Sequence, residues 1–290
     1  MKEPSSKFQE NLRAGKRVIL AEVKPPTGAD PVMIRNLVRS FAAKVSALGL
    51  SDNRDEVRVS SLATSVLAAD EGVEPILHMT TRDRNRIGLL SDCLGACALG
   101  VKNFLCTGGT HQTLGTFRDA KNVYDIDPVQ FMQMISGKDG LGACVGGVAN
   151  PFADPVELQL MVTAKKIAAG ARFLVTQPVF DTQRFGAWWG KIREAGLEKK
   201  TAFVAGVRVL CSAEEARKMA AERPNPLIPP ALTERIGAKK GASAQRDEGI
   251  AIALETVKSL AELEGLAGFE ISCDCDPEAA LEVIKGMGNA

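Results

Sequence analysis

The sequence has almost no excess charge of either sign: Lys and Arg total 36 against 35 Asp and Glu, a balance of +1. That excludes the basic footprint by which a chain holds nucleic acid or an anionic membrane surface. No stretch approaches the ~18 uninterrupted apolar residues of a spanning helix. Met1 to Gly15 is polar and charged, with no apolar h-region, so no signal peptide is expected and the chain reads as cytoplasmic. Histidine is nearly absent. His78 and His111 are the only two, without a clustered carboxylate beside them, and no metal site is expected from them. No G-x-S-x-G or Cys/His pairing marks a nucleophile. The seven cysteines are an odd number with no CxxC spacing, which favours reduced thiols over a disulfide framework, a zinc site or an iron–sulfur site. Cys93 and Cys97 fall on one face of a predicted helix, and Cys273 and Cys275 on one face of a predicted strand. Both pairs read as small buried core residues.

What is present is an ordinary globular composition, 45% apolar and 24% charged, over 290 residues. Short apolar, β-rich runs alternate with longer amphipathic ones, as βαβ units and a parallel sheet require. Eight strands are predicted: 18–23, 45–50, 75–79, 103–107, 142–148, 173–176, 202–207 and 268–273. Asp30-Pro31 reads as an N-cap with proline at the first helical position, ahead of Met33, Ile34, Leu37, Val38 and Phe41 at helical spacing. Asp83 is expected to start a helix carrying Ile87, Leu90 and Leu94, ended by Gly100. Asp154-Pro155 repeats the start signal for a helix with Leu158, Met161, Val162 and Ile167, and Asp181, Ser212 and Gln245 head three more. No linker rich in Pro, Gly or Ser divides the chain. The expectation is one (β/α)8 TIM barrel domain spanning 1–290. An open doubly wound sheet is the alternative, but Glu22-Val23-Lys24-Pro25-Pro26 after the first strand is nothing like G-x-G-x-x-G.

Barrel active sites lie at the C-terminal ends of the strands, and here those ends are polar. Strand one ends in Glu22 and Lys24-Pro25-Pro26. Strand two runs into Ser51-Asp52-Asn53-Arg54. Strand three carries His78 and then Thr80-Thr81-Arg82-Asp83. Strand four ends in Thr107-Gly108-Gly109-Thr110-His111-Gln112, strand six in Thr176-Gln177-Pro178, and strand seven leads to Arg208. Carboxylate, amide, hydroxyl and glycine without a metal suit a site that takes its reactivity from an organic cofactor. A barrel lyase or aldolase is disfavoured, because neither Lys24 nor any other lysine sits alone inside an apolar strand as a Schiff-base nucleophile would.

Four segments then match a known pattern in order and spacing. They are Glu22-x-x-Pro25-Pro26, the run from Leu77 through His78-Met79-Thr80-Thr81-Arg82-Asp83-Arg84-Asn85-Arg86, Leu99-Gly100-Val101-Lys102-Asn103, and Ala169-Gly170-Ala171 followed by Val175-Thr176-Gln177-Pro178. With these the chain resembles the methylenetetrahydrofolate reductases from about residue 8 to the last strand. The stretch from Val148 to Pro155 is similar to the subgroup of acetogens and related anaerobes, whose reductase often works beside a zinc- and iron–sulfur-associated subunit.

The resemblance implies a flavin across the barrel mouth, FAD or else FMN, with folate stacked on it. It implies Glu22 as the general acid that protonates N10 of 5,10-methylenetetrahydrofolate, a task suited to a partly buried carboxyl. Gln177 would hold the substrate through its amide, with Ser51 and Thr110 beside it. His78, Thr107 and Tyr124, the only tyrosine, would contact the flavin, and Lys166 its phosphate. Gly108 and Gly109 would let the backbone lie close to the ring. Electrons would come from NAD(P)H, ferredoxin or a partner subunit, and a homo- or hetero-oligomer is expected. Thr110 departs from the pattern, since the family usually places an acidic residue there. Losing that charge should favour an anionic reduced flavin and raise its potential. The same departure motivates an alternative, a folate-binding or scaffold subunit with altered catalysis. Cys273, where relatives often carry an apolar residue, is given no role.

Overall fold

Short β-rich runs whose inward and outward positions are both buried can be satisfied only by a sheet covered on both faces, and that is how the chain is arranged. The computed structural model describes residues 6–53, 56–221 and 227–288; Arg54 and residues 1–5 of the polar N-terminus lie outside the described residues. Eight parallel strands close into a barrel in sequence order: β1 Val18–Val23, β2 Ala47–Leu50, β3 Pro75–Thr80, β4 Asn103–Thr107, β5 Cys144–Ala149, β6 Phe173–Thr176, β7 Ala202–Arg208 and β8 Gly268–Ser272. Closure is made by β1 on β8, with Leu20 opposite Glu270 and Glu22 opposite Ser272. Three of the eight predicted strands have the observed bounds, and the others differ by one or two residues at an end.

Helices cover the outside: α1 Lys7–Arg13, α2 Pro31–Arg39, α3 Ser61–Asp70, α4 Arg86–Ala98, α5 Pro128–Ser136, α6 Val156–Ala168, α7 Thr182–Glu194, α8 Ala213–Ala221, α9 Pro230–Gly237, α10 Ala242–Ala261 and α11 Pro277–Met287. None of those described is long and apolar enough to cross a membrane. Asp30 caps α2 and Asp181 caps α7 through their side chains, as their spacing predicts. Ser212 accepts from the Glu215 amide at the start of α8. Two expected starts are displaced. Asn85, not Asp83, caps α4, because Asp83 is taken by the Arg82 guanidinium. Gln245 lies inside α10, which begins after Gly241, and its side chain instead accepts from the Ala213 amide. The faces also differ. Helix α4 buries Leu89, Cys93, Ala96 and Cys97 and leaves Ile87 and Leu94 exposed, and Leu158 and Met161 of α6 are exposed too. Small residues on the sheet-facing side let a helix approach the barrel closely, which a count of large apolar residues does not register.

Strand alternation sorts the barrel interior into levels. At the N-terminal end Val18, Leu20, Ala47, Ile76, Leu105, Cys144, Phe173, Val175 and Val204 form one apolar cluster, and Phe8 of α1 joins it, fully buried. Phe8 meets Phe173 edge-on, with ring centroids 5.2 Å apart and planes at 86°. Helix α1 therefore plugs that end. Toward the C-terminal end the same inward positions turn polar: Glu22 follows Val18 and Leu20 on β1, His78 follows Ile76 on β3, and Arg208 follows Val204 and Gly206 on β7.

Candidate active site at the barrel mouth

Glu22 stands one residue short of the end of β1, with its side chain about 33% exposed. Ser51, immediately after β2, donates its hydroxyl to Glu22 Oε1 at 2.5 Å. His78 Nδ1 lies 3.8 Å from the same oxygen, too far for a hydrogen bond. The imidazole fits because β2 carries Gly49 at this level; a Cβ there would stand 2.7 Å from His78 Nε2. Burial pushes the His78 imidazolium down, against the pull of Glu22 and Asp52, so the ring is neutral at pH 7. Its Nε2 is buried and makes no hydrogen bond among the described residues. A neutral ring nitrogen held toward the barrel without a partner is what a polar ligand would complete.

The motif from Arg82 to Arg86 serves the scaffold. Arg82 donates to the carbonyl of Asn53 at 2.7 Å and of Thr110 at 2.9 Å, tying the loops after β2 and β4 to β3. Arg84 forks onto both oxygens of Asp52 at 3.0 and 2.9 Å, Asn85 caps α4, and Arg86 pairs with Asp125. Asp52 also accepts from the Thr80 amide. The loop bearing Thr107, Gly108, Gly109 and Thr110 is thus held from below, and Gly109 takes φ +75°, a conformation that favours glycine. A Cβ at Gly109 would already press on Arg82 and Thr80, at 3.1 and 3.2 Å.

Gln177 follows β6 and is half-buried. Its amide nitrogen donates to Ala149 while its side chain makes no hydrogen bond among the described residues, leaving both amide ends for a ligand. Tyr124 is 42% exposed on the loop before α5, at φ +42°. Lys166 is different. It lies in α6 with its Nζ 2.5 Å from the Val148 carbonyl, and burial lowers its pKa. Lys24 pairs with Asp274 at 2.8 Å, and Arg208 reaches the same carboxylate at 2.5 Å. Burial alone would raise Asp274, but the charges of Arg208 and Lys24 hold it down to about 2.

Two features escape the sequence reading. Glu270 on β8 lies within the barrel, 7% exposed, and its Oε1 has no hydrogen-bond partner among the described residues. Burial, reinforced by the charge of Glu22, pushes it well above the usual carboxylate range. A lone Glu between Phe269 and Ile271 was the available signal, the same pattern that singles out Glu22. Because the folded protein holds this proton more tightly than the unfolded chain, stability is undiminished below the unfolded value of ~4.3. It then falls as pH rises from there toward the raised folded value. Glu270→Gln removes that cost, so it should melt near the wild type at pH 4 and at least roughly 2–4 °C above it at pH 8. Equal melting offsets at both pH values would show that Glu270 does not titrate in this way.

The second feature is a group of thiols. Cys93 and Cys97 are buried as expected, but Cys273 and Cys275 lie beyond the end of β8, and Cys275 is exposed. Both approach Cys211, which follows β7 and is 62 residues away in sequence. A cavity of about 1040 Å³ opens at the opposite end of the barrel, lined by residues including Arg13, Arg17, Lys138 and Arg172. That face of such barrels serves stability, and the chemistry belongs to the mouth.

A model of the methylenetetrahydrofolate reductase family matches residues 7–288. Over 169 residues, 58% of this chain, the sequence is 25% identical to the "Probable methylenetetrahydrofolate reductase (NADPH)" of Caenorhabditis elegans. Over 156 residues, 49% of the chain, it is 28% identical to "Methylenetetrahydrofolate reductase 2" of Saccharomyces cerevisiae. The matched part spans about a quarter of the length of each of these curated relatives, 25% in both cases. Among solved structures, a Clostridium thermocellum protein that binds two copies of 5-methyl-5,6,7,8-tetrahydrofolic acid has the same fold, with TM-score 0.73 at 12% identity over 98% of this chain and 99% of that one.

Proposed function

This chain belongs to the methylenetetrahydrofolate reductase family, and we propose that it reduces 5,10-methylenetetrahydrofolate to 5-methyltetrahydrofolate at a flavin held across the barrel mouth. The observation that carries the reading is Glu22, half-buried at the mouth, fixed by Ser51 and flanked by neutral His78 with an unpartnered Nε2. The folate ligand of the Clostridium thermocellum barrel adds support.

The residues present fit a flavin. Nε2 of His78 lacks a partner, Gly108 and Gly109 leave the backbone after β4 uncovered by side chains, and Thr107 is half-buried beside them. In this reading His78, Thr107, Gly108, Gly109 and Tyr124 hold the ring, and Lys166 takes a phosphate on leaving the Val148 carbonyl. The bound flavin, FAD or FMN, supplies hydride. Ser51 occupies Oε1 of Glu22, so Oε2 is the atom that carries the proton to N10 of the substrate. Protonation there opens the five-membered ring and exposes an electrophilic N5 iminium carbon. Gln177 grips the folate through its amide, and Ser51 and Thr110 border it. The whole of 1–290 acts as one catalytic domain, with NAD(P)H, ferredoxin or a partner subunit as the source of electrons.

The test is direct. Purified protein should be yellow and should be reduced anaerobically by 5-methyltetrahydrofolate, which bleaches it. A colourless protein that takes up neither FAD nor FMN in titration would sink the proposal. Thr110 favours a second reading, since it puts an uncharged residue where the family usually has an acid. A folate-binding subunit with altered catalysis would bind folate yet fail to turn over even with artificial electron donors.

A further inference from the structure

Three thiols converge at the rim between β7 and β8. Cys211 Sγ is 3.4 Å from Cys273 Sγ, Cys273 Sγ is 3.8 Å from Cys275 Sγ, and all three sulfurs lie within 4.8 Å of one another. Sulfurs bound at ~2.3 Å to one tetrahedral ion stand ~3.8 Å apart, so these atoms already have the spacing of a single-ion site. They are too close together to sit on different irons of a cluster. Burial is graded across the group: Cys273 is buried, Cys211 half-buried and Cys275 exposed, which gives an ion a route in from solvent. The other four cysteines, Cys93, Cys97, Cys106 and Cys144, are all buried and read as packing.

The surroundings are also those of a metal site. Glu215 Oε2 lies 3.5 Å from Cys275 Sγ and accepts the Cys211 amide at 2.8 Å, and its other oxygen is 3.5 Å from Arg208. A carboxylate that touches one ligand, fixes the backbone of a second and is itself held by a buried cation is the kind of outer partner that orients metal ligands. Three thiolates and a divalent ion sum to −1, and the nearby cations Arg208 and Lys24 are matched by Asp274 and the Glu215 carboxylate, so the surroundings add no further net charge.

We propose that Cys211, Cys273 and Cys275 bind one thiophilic divalent cation, Zn2+, with Glu215 or solvent in the fourth position. Binding releases the thiol protons and ties the loop after β7 to the loop after β8, steadying Arg208 and Asp274 beside the mouth. The site is independent of the flavin and folate reading, and its test does not involve turnover.

Full-length protein purified without oxygen or added metal should contain close to one zinc per chain by plasma mass spectrometry. After the zinc is stripped with a chelator, titration with Co2+ should produce the ligand-field bands of a tetrahedral ion and a thiolate-to-cobalt charge-transfer band, saturating at one equivalent. Cys275 is exposed, so Cys275→Ser should fold, and it should bind Co2+ at least ~100-fold more weakly, a greater loss than removal of an outer partner causes. A wild-type titration without the charge-transfer band overturns the proposal. So does a Cys211–Cys273 disulfide in the anaerobic protein, found by peptide mapping.

Discussion

Glu22→Gln is expected to keep its flavin and lose about 10²–10⁴-fold of folate reduction, the usual contribution of a positioned general acid. The substitution is nearly isosteric, and the amide oxygen can still accept from Ser51, whose hydroxyl now holds Oε1 at 2.5 Å. The scaffold beneath is untouched, because the Arg82 and Arg84 contacts that set the neighbouring loops do not involve Glu22. What disappears is the proton. An amide has none to give at useful acidity, so N10 leaves poorly and the ring stays closed. Flavin reduction by the electron donor should proceed as in wild type, since it needs no proton from this group. Glu270 is no substitute: it lies two residues deeper on the neighbouring strand, with almost no exposure. Stopped-flow measurement of both half-reactions separates the cases. Near-wild-type folate reduction in the variant would remove Glu22 from the mechanism.

Phe8→Ala should cost about 3–5 kcal/mol of stability, the range for removing a fully buried aromatic ring. The cost should fall toward the high end because the hole has no means of closing. Phe8 stands edge-on to Phe173, and Phe173 lies directly over Gly146, where a Cβ would come 2.3 Å from the ring. Phe173 therefore already fills the space over Gly146, and Val18, Ala47 and Cys144 nearby are strand residues held by the barrel ladder. Helix α1 is only seven residues long, too short to persist alone, and it is fastened by Ser6 at its cap and to Asn103 at the end of the barrel. Urea unfolding of the variant reads the loss. A value under ~1 kcal/mol would mean that this end of the barrel repacks readily.

The strands were legible because each is a short β-rich run, and β1, β4 and β6 begin and end where the composition changes. The polar residues at their ends were legible for the same reason, since Glu22, His78, Gln177 and Arg208 stand out against the apolar residues before them. Helix faces were less so. Ile87 and Leu94 suggested the buried side of α4, yet Cys93, Ala96 and Cys97 occupy it, because a helix pressed onto a sheet rewards small side chains over large ones. Helix α1 was missed: in Lys7–Arg13 two apolar residues among charged ones give no stripe, and only the barrel supplies Phe8 with a place. Glu270 was on view but its burial was not, for that depends on which side of β8 faces inward. The thiol group could not be read at all, since Cys211 joins Cys273 and Cys275 only when β7 and β8 become neighbours.

A sheet that closes on itself has no outer strand. Every ladder in this barrel is already paired, from β1 round to β8, so no row of free backbone groups is left for another protein to extend. A protein that docked on this chain would therefore have to recognise it through side chains on its helices and loops. The specificity of such a contact would be written in surface residues that can change without disturbing the strands.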